Sequence, residues 1–171
     1  MSYRHCAGPV RPVLLALLLS LSINLQGQAL QTTKAVTRPA PVPRLTPRQQ
    51  RKLIRYNEAG AIMALRTLLS AEATYQATVG NGDYGTLEEL GREKLVDYVL
   101  AEGHRYGYLF RVRREKYSPE SPASFEVVAV PRTYGRTGRR SFYIDETGVI
   151  RAVDKNGAEA NLTDDLVVID P

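Results

Sequence analysis

The stretch TPRQQRKLIRYNEAGAIMALRTLLSAEATYQATVGNGD, Thr46 to Asp83, decides the fold. Thr46 followed by Pro47 is a helix-start signature. A threonine hydroxyl accepts from the free N–H groups of the first turn, and proline suits the first helical position. No further proline occurs before Gly80-Asn81-Gly82-Asp83, where Gly80 suits a left-handed cap. The spacing predicts one helix from Pro47 to about Val79. Ile54, Ala61, Leu65, Leu68 and Tyr75 recur at helical intervals, and Ile62, Leu69 and Ala73 widen the stripe. Ala59, Gly60, Ala61 and Ala64 would let another backbone approach closely. Glu72 falls inside the stripe, where a carboxylate needs partners because desolvating it alone is costly. It is expected to accept N–H groups from a neighbouring loop, with an acid or metal-ligand role as the alternative.

C-terminal to the helix, Thr86 and Glu89 form a capping-box pattern around Leu87–Leu90. Glu93–Leu100 continues helically, and Gly103 closes that segment. The period then changes to two. Tyr106, Tyr108, Phe110 and Val112 alternate with Gly107, Leu109, Arg111 and Arg113, which is a strand with one large apolar face. Phe125–Val130, Ser141–Ile144 and Val149–Val153 read as further strands, and Asp145-Glu146-Thr147-Gly148 as a hairpin connection between the last two. Asp154–Asp165 reads as a polar tail, and Leu166–Ile169 as a short closing strand. The fold class expected is α+β, a long N-terminal helix packed on a roughly four-stranded antiparallel sheet. The sheet must bury its apolar face, and the helix is the only large partner available.

N-terminal to the helix the chain changes character. Arg4 and Arg11 flank the approach to an apolar run, Val13–Leu25, and Gly27-Gln28-Ala29 follows. Charged start, short apolar middle and small-x-small end are the parts of a secretory signal peptide. The run is shorter than the roughly 20 residues that span a bilayer. Residues 1–29 are therefore expected to be a cleaved signal and the protein to be exported, periplasmic or extracellular, with no stable membrane span after cleavage. An uncleaved apolar anchor is the alternative. Residues 30–46, with Pro39, Pro41 and Pro43, read as an extended basic linker, and 47–171 as the folded domain.

Net charge divides along the same boundary. The 171 residues carry 23 basic and 18 acidic side chains, a formal balance of +5. Residues 30–55 hold Lys34, Arg38, Arg44, Arg48, Arg51, Lys52 and Arg55 and no acid. Residues 56–171 hold all 18 acidic residues, so the folded domain beyond the helix start is mildly acidic. The arm is expected to be a solvated linker that holds the domain off something. The alternative is a basic arm that touches anionic lipid, cell-wall polymer or nucleic acid.

Several short matches, taken in order, carry a resemblance. They are Asn57-Glu58-Ala59, Leu65-Arg66-Thr67, Ala71-Glu72, Thr74-Tyr75, Gly80-Asn81-Gly82 and Thr86-Leu87, then Phe142–Arg151 with its Asp145–Gly148 turn. Together they resemble the globular domain of bacterial type IV pilin-like and pseudopilin-like proteins over roughly residues 57–155. The resemblance implies a helical spine on a four-stranded antiparallel sheet, no enzymatic activity, and pilin or secretion-system components as partners. The N-terminus departs from that family. Gly8 is followed by Pro9, no Glu precedes Glu58, and the apolar run is short. The pattern therefore describes an exported pilin-like domain without the membrane-embedded half of the spine.

Searches for catalytic chemistry find little. The single Cys, Cys6, lies in the signal, which excludes a disulfide framework. The only His beyond it is His104, too few ligands for a structural zinc, and no glycine-flanked serine elbow accompanies it. Asp154-Lys155-Asn156-Gly157 reads as a turn, because the acidic spacing of a calcium loop is absent. No cofactor, metal site or catalytic residue is expected. Arg132, Arg136, Arg139 and Arg140 lie in one glycine-containing loop and form the candidate anionic-ligand patch. Two functions follow as expectations. The first is a non-enzymatic domain making protein–protein contacts at the cell envelope. The second is an envelope module that contacts an anionic polymer, DNA or cell-wall material, weakly through the basic arm and this loop.

Overall fold

The structure, a computed structural model, describes residues 45–166. The expected signal peptide and nearly all of the expected linker lie outside the described residues. Helix α1 runs Pro47–Ala77, opened by the expected cap. The Thr46 hydroxyl accepts from the Gln49 N–H at 3.3 Å, and the Thr46 N–H donates to the Gln49 side chain at 2.8 Å. The helix stops as the Gly80 N–H donates back to Tyr75 O at 2.8 Å. The left-handed residues are Asn81 and Gly82, not Gly80 as the sequence pattern suggests.

One face of α1 is buried: Ile54, Ala61, Ala64, Leu65, Leu68 and Ala71, with Asn57, Glu58 and Glu72 among them. Tyr75, Ile62 and Leu69 are partly buried at its margin, whereas Ala73 is exposed. Short helices α2 (Leu87–Arg92) and α3 (Tyr98–Ala101) follow. Thr86 and Glu89 close the capping box on α2. The continuous helix expected over Glu93–Leu100 is broken because Lys94 adopts a left-handed conformation, and Asp97 caps a new turn.

The sheet has five antiparallel strands in chain order: β1 (His104–Arg105), β2 (Tyr108–Glu115), β3 (Ser124–Pro131), β4 (Ser141–Asp145) and β5 (Arg151–Val153). One strand more is present than the sequence suggests. Tyr106 and Gly107 both have positive φ, +49° and +71°, and close a two-residue hairpin. The alternation read from Tyr106 thus begins in a turn, and the two-residue strand before it is too short to leave a period. The final strand is also shorter than expected, and only Leu166 of the expected closing strand is described, bridging Arg151.

Tyr108, Phe110, Phe125, Val127, Ala129, Phe142 and Ile144 meet α1 in the main core, with Leu90 and Leu100 from the short helices. Tyr106 lays its ring on Gly60, where an added Cβ would lie 2.5 Å from a ring carbon. A side chain there would push the β1–β2 hairpin off the helix. The reverse face of the sheet is not bare. Residues 154–165 cross it, and Ala160 is buried against Val128 and Tyr143. The polar tail of the sequence is thus a strap, which explains why β4 is buried along its whole length.

Candidate functional site

The loop between β3 and β4 carries Arg132, Arg136, Arg139 and Arg140, and it is seated on α1. The Gln50 amide donates to Arg136 O, and the Asn57 amide donates to Thr137 O at 2.8 Å. Gln50 and Asn57 are seven residues apart, two helical turns, so they share one side of α1. Glu58 completes the dock. Its Oε1 accepts the Arg139 and Arg140 N–H groups at 3.1 and 3.2 Å. Its Oε2 accepts Arg140 Nε at 2.9 Å, with Nη2 at 2.8 Å. Glu58 is only 7% exposed, so this carboxylate is substantially desolvated and each of these bonds counts.

From below, the Tyr108 hydroxyl donates to Arg140 O at 2.8 Å. Gly138 covers that hydroxyl so closely that a Cβ would fall 2.0 Å from it. Burial pushes the Tyr108 phenol up from its ordinary value, and the nearby Glu58 charge adds to the shift. Tyr108 therefore stays a neutral donor.

The four arginines of the loop accordingly divide. Arg140 is held by Glu58, and its guanidinium lies over the Phe142 ring at 5.5 Å. Arg132, Arg136 and Arg139 are exposed, and among the described residues none of them makes an ion pair. The same is true of Arg48, Arg51, Lys52 and Arg55, which project from the solvent side of α1 around a shallow hollow of about 510 Å³ beside Tyr56. Docking through Gln50, Asn57 and Glu58 joins two basic segments by contacts that span 80 residues or more. Within 45–66 and 131–140 the only acid is Glu58.

Sequence reasoning named the arginines but missed Gln50, Asn57 and Glu58. A signal for them existed, since Asn57 and Glu58 interrupt the apolar stripe in the same way as Glu72.

Glu72 is fully buried near the other end of α1. Its Oε2 accepts the Gly85 N–H at 2.8 Å, the loop contact expected for it, while Oε1 has no partner. Desolvation raises its pKa to about 7, only partly offset by the Gly85 bond and by Arg114. Arg114 is engaged elsewhere, with Glu89 at 3.2 Å and with Tyr84 O at 2.8 Å. This is a neutral structural carboxyl in mildly acidic solution.

A second surface lies on α2 and α3. Gly91, Val96 and Ala101 floor a hollow of about 560 Å³, rimmed by Glu88, Arg92, Lys94 and Glu102. Tyr98 stands beside it, 74% exposed, with Val99 also exposed. His104 is exposed, with Nε2 3.6 Å from the Glu102 carboxylate. Among the described residues no group of three or more His, Cys, Asp or Glu is placed to hold a metal ion, and no helix is long and apolar enough to cross a membrane. Comparison with protein-family models, with curated proteins and with solved structures gave no match.

Proposed function

We propose that the chain is an exported, non-enzymatic, pilin-like domain that makes protein–protein contacts at the bacterial cell envelope. The observation that carries this reading is the α2–α3 surface. An apolar floor, an exposed tyrosine anchor and a charged rim are the anatomy of a protein contact, in which aromatic side chains supply most of the binding energy. The long helix on an antiparallel sheet supports the pilin-like part of the reading. The export signal in the sequence supports the compartment.

The test is recovery of the tagged chain from envelope fractions. Pilin or secretion-system components should co-purify with it, and Tyr98→Asp should remove them while leaving thermal unfolding within about 0.5 kcal/mol, as for exposed positions generally. A chain that emerges alone, with or without Tyr98, overturns the reading. The N-terminal residue of the exported protein tests the compartment separately, with Leu30 the expected first residue.

A further inference from the structure

The outward half of α1 carries two kinds of exposed side chain along its first five turns. Arg48, Arg51, Lys52 and Arg55 lie on one flank and span about 10 Å of axis. Leu53, Tyr56 and Met63 lie on the adjacent flank, and Leu45 precedes the helix; all four are exposed. The docked loop adds Arg136 and Arg139 beside this helix, neither with an ion pair among the described residues.

From this surface we infer a contact for an anionic phospholipid bilayer. Cations attract a negatively charged headgroup layer, at about fivefold in partition per side chain near the surface. Leucine, methionine and tyrosine enter the interfacial zone between headgroups and acyl chains. A nucleic-acid surface would use the same cations and would gain nothing from Leu45, Leu53 or Met63, whose aliphatic groups have no phosphate or base edge to meet. The composition therefore favours a lipid surface over a nucleic acid. α1 would lie along the membrane plane with its buried face still on the sheet. This contact is independent of the α2–α3 surface, which is built from other residues.

The experiment is sedimentation of the full chain with vesicles of phosphatidylglycerol and of phosphatidylcholine, over a range of salt. The Val13–Leu25 run is common to all variants and to both lipids, so only differences count. The parent chain should partition at least about tenfold better onto phosphatidylglycerol, and salt should weaken that preference. Combined Arg48→Gln, Arg51→Gln, Lys52→Gln and Arg55→Gln should cut the preference several-fold or more, leaving the part that Arg136 and Arg139 carry. Tyr56→Ser with Met63→Ser should lower partition several-fold at unchanged net charge. Lys116→Gln removes an exposed cation, without an ion pair among the described residues, from the far end of β2 next to Tyr117, whose N–H donates to Asp83, and should change partition less than about twofold. Equal binding to both lipids, an unchanged quadruple variant, or a loss in the Lys116 variant equal to that of the quadruple variant overturns the inference. Charge-dependent retention of duplex DNA without vesicle binding overturns it in favour of a nucleic-acid surface.

Discussion

Arginine is used in opposite ways on two faces of this domain. On the reverse face of the sheet, Arg111 and Arg113 project from the same side of β2 and are both held by Glu159 of the strap. Arg113 also reaches Glu126 on β3 at 2.7 Å. Farther along the strap, Lys155 pairs with Asp164 at 2.7 Å. On the α1 face, Arg48, Arg51, Lys52, Arg55, Arg136 and Arg139 are exposed around one acid among the described residues, Glu58, and Arg140 takes that acid. The counter-charges on the sheet face tie a crossing segment down. Among the described residues the α1 face has no such counter-charges beyond Glu58, and its other cations make no ion pair. Residue counts did not separate the two uses, since residues 56–171 carry more acids than bases overall. Pairing in space does separate them.

The largest test of this contrast removes the one acid of the basic surface. Glu58→Ala strips the Arg139 and Arg140 amides and the half-exposed Arg140 guanidinium of their acceptor in a partly buried setting. It should cost about 2 kcal/mol in denaturant unfolding and loosen the loop in hydrogen exchange. A cost under about 1 kcal/mol would mean that the loop is seated by something else.

Glu72 gives the next effect, and a pH signature. Its folded pKa, about 7, lies above its ordinary value of 4.5. Its contribution is therefore fully present below about pH 4.5 and is lost as pH rises through 7. Stability should fall between pH 5 and 8 by no more than about 3 kcal/mol, and Glu72→Gln should flatten the profile. Thermal melts across that range decide it.

Glu159 titrates in the opposite sense. Its bonds to Arg113 and then Arg111 hold its pKa below the ordinary value, with burial opposing them. Its contribution is present above about pH 4.5 and is lost as pH falls through the depressed value. Glu159→Gln should cost only about 1 kcal/mol, as for partly exposed pairs, and should speed proteolysis within residues 154–165. The smallest effect sharpens the comparison most. Arg136→Gln with Arg139→Gln breaks no pair and should shift stability by less than about 0.5 kcal/mol, whereas the equivalent change at Arg111 and Arg113 should release the strap.

The sequence disclosed what local chemistry controls. Thr46-Pro47 and Thr86–Glu89 marked two helix starts because a cap involves residues three apart. Large apolar side chains alternating along β2 and the Asp145–Gly148 turn marked the meander. Long-range seating was not visible in the same way. Ala160 reads as part of a polar tail, and only its contact with Val128 and Tyr143 reveals a strap. Arg140 is indistinguishable from Arg139 in sequence, yet Glu58, some 82 residues away, takes the guanidinium of one and leaves the other exposed. Of the four candidate patch residues, three keep their charge exposed and the fourth is part of the dock.

The chain-order pairing of the strands has a consequence for biogenesis. Each sheet neighbour is the next strand in sequence, so every hairpin closes as soon as its second strand is free. The dock of the Arg136–Arg140 loop on Gln50, Asn57 and Glu58 spans 80 residues or more and must wait for most of the domain. As the chain is made from its N-terminus, the cations of α1 therefore emerge long before the arginines that complete their surface. The joined basic face is a late product of folding, present only once β3 has been laid down and the loop beyond it has folded back onto the helix.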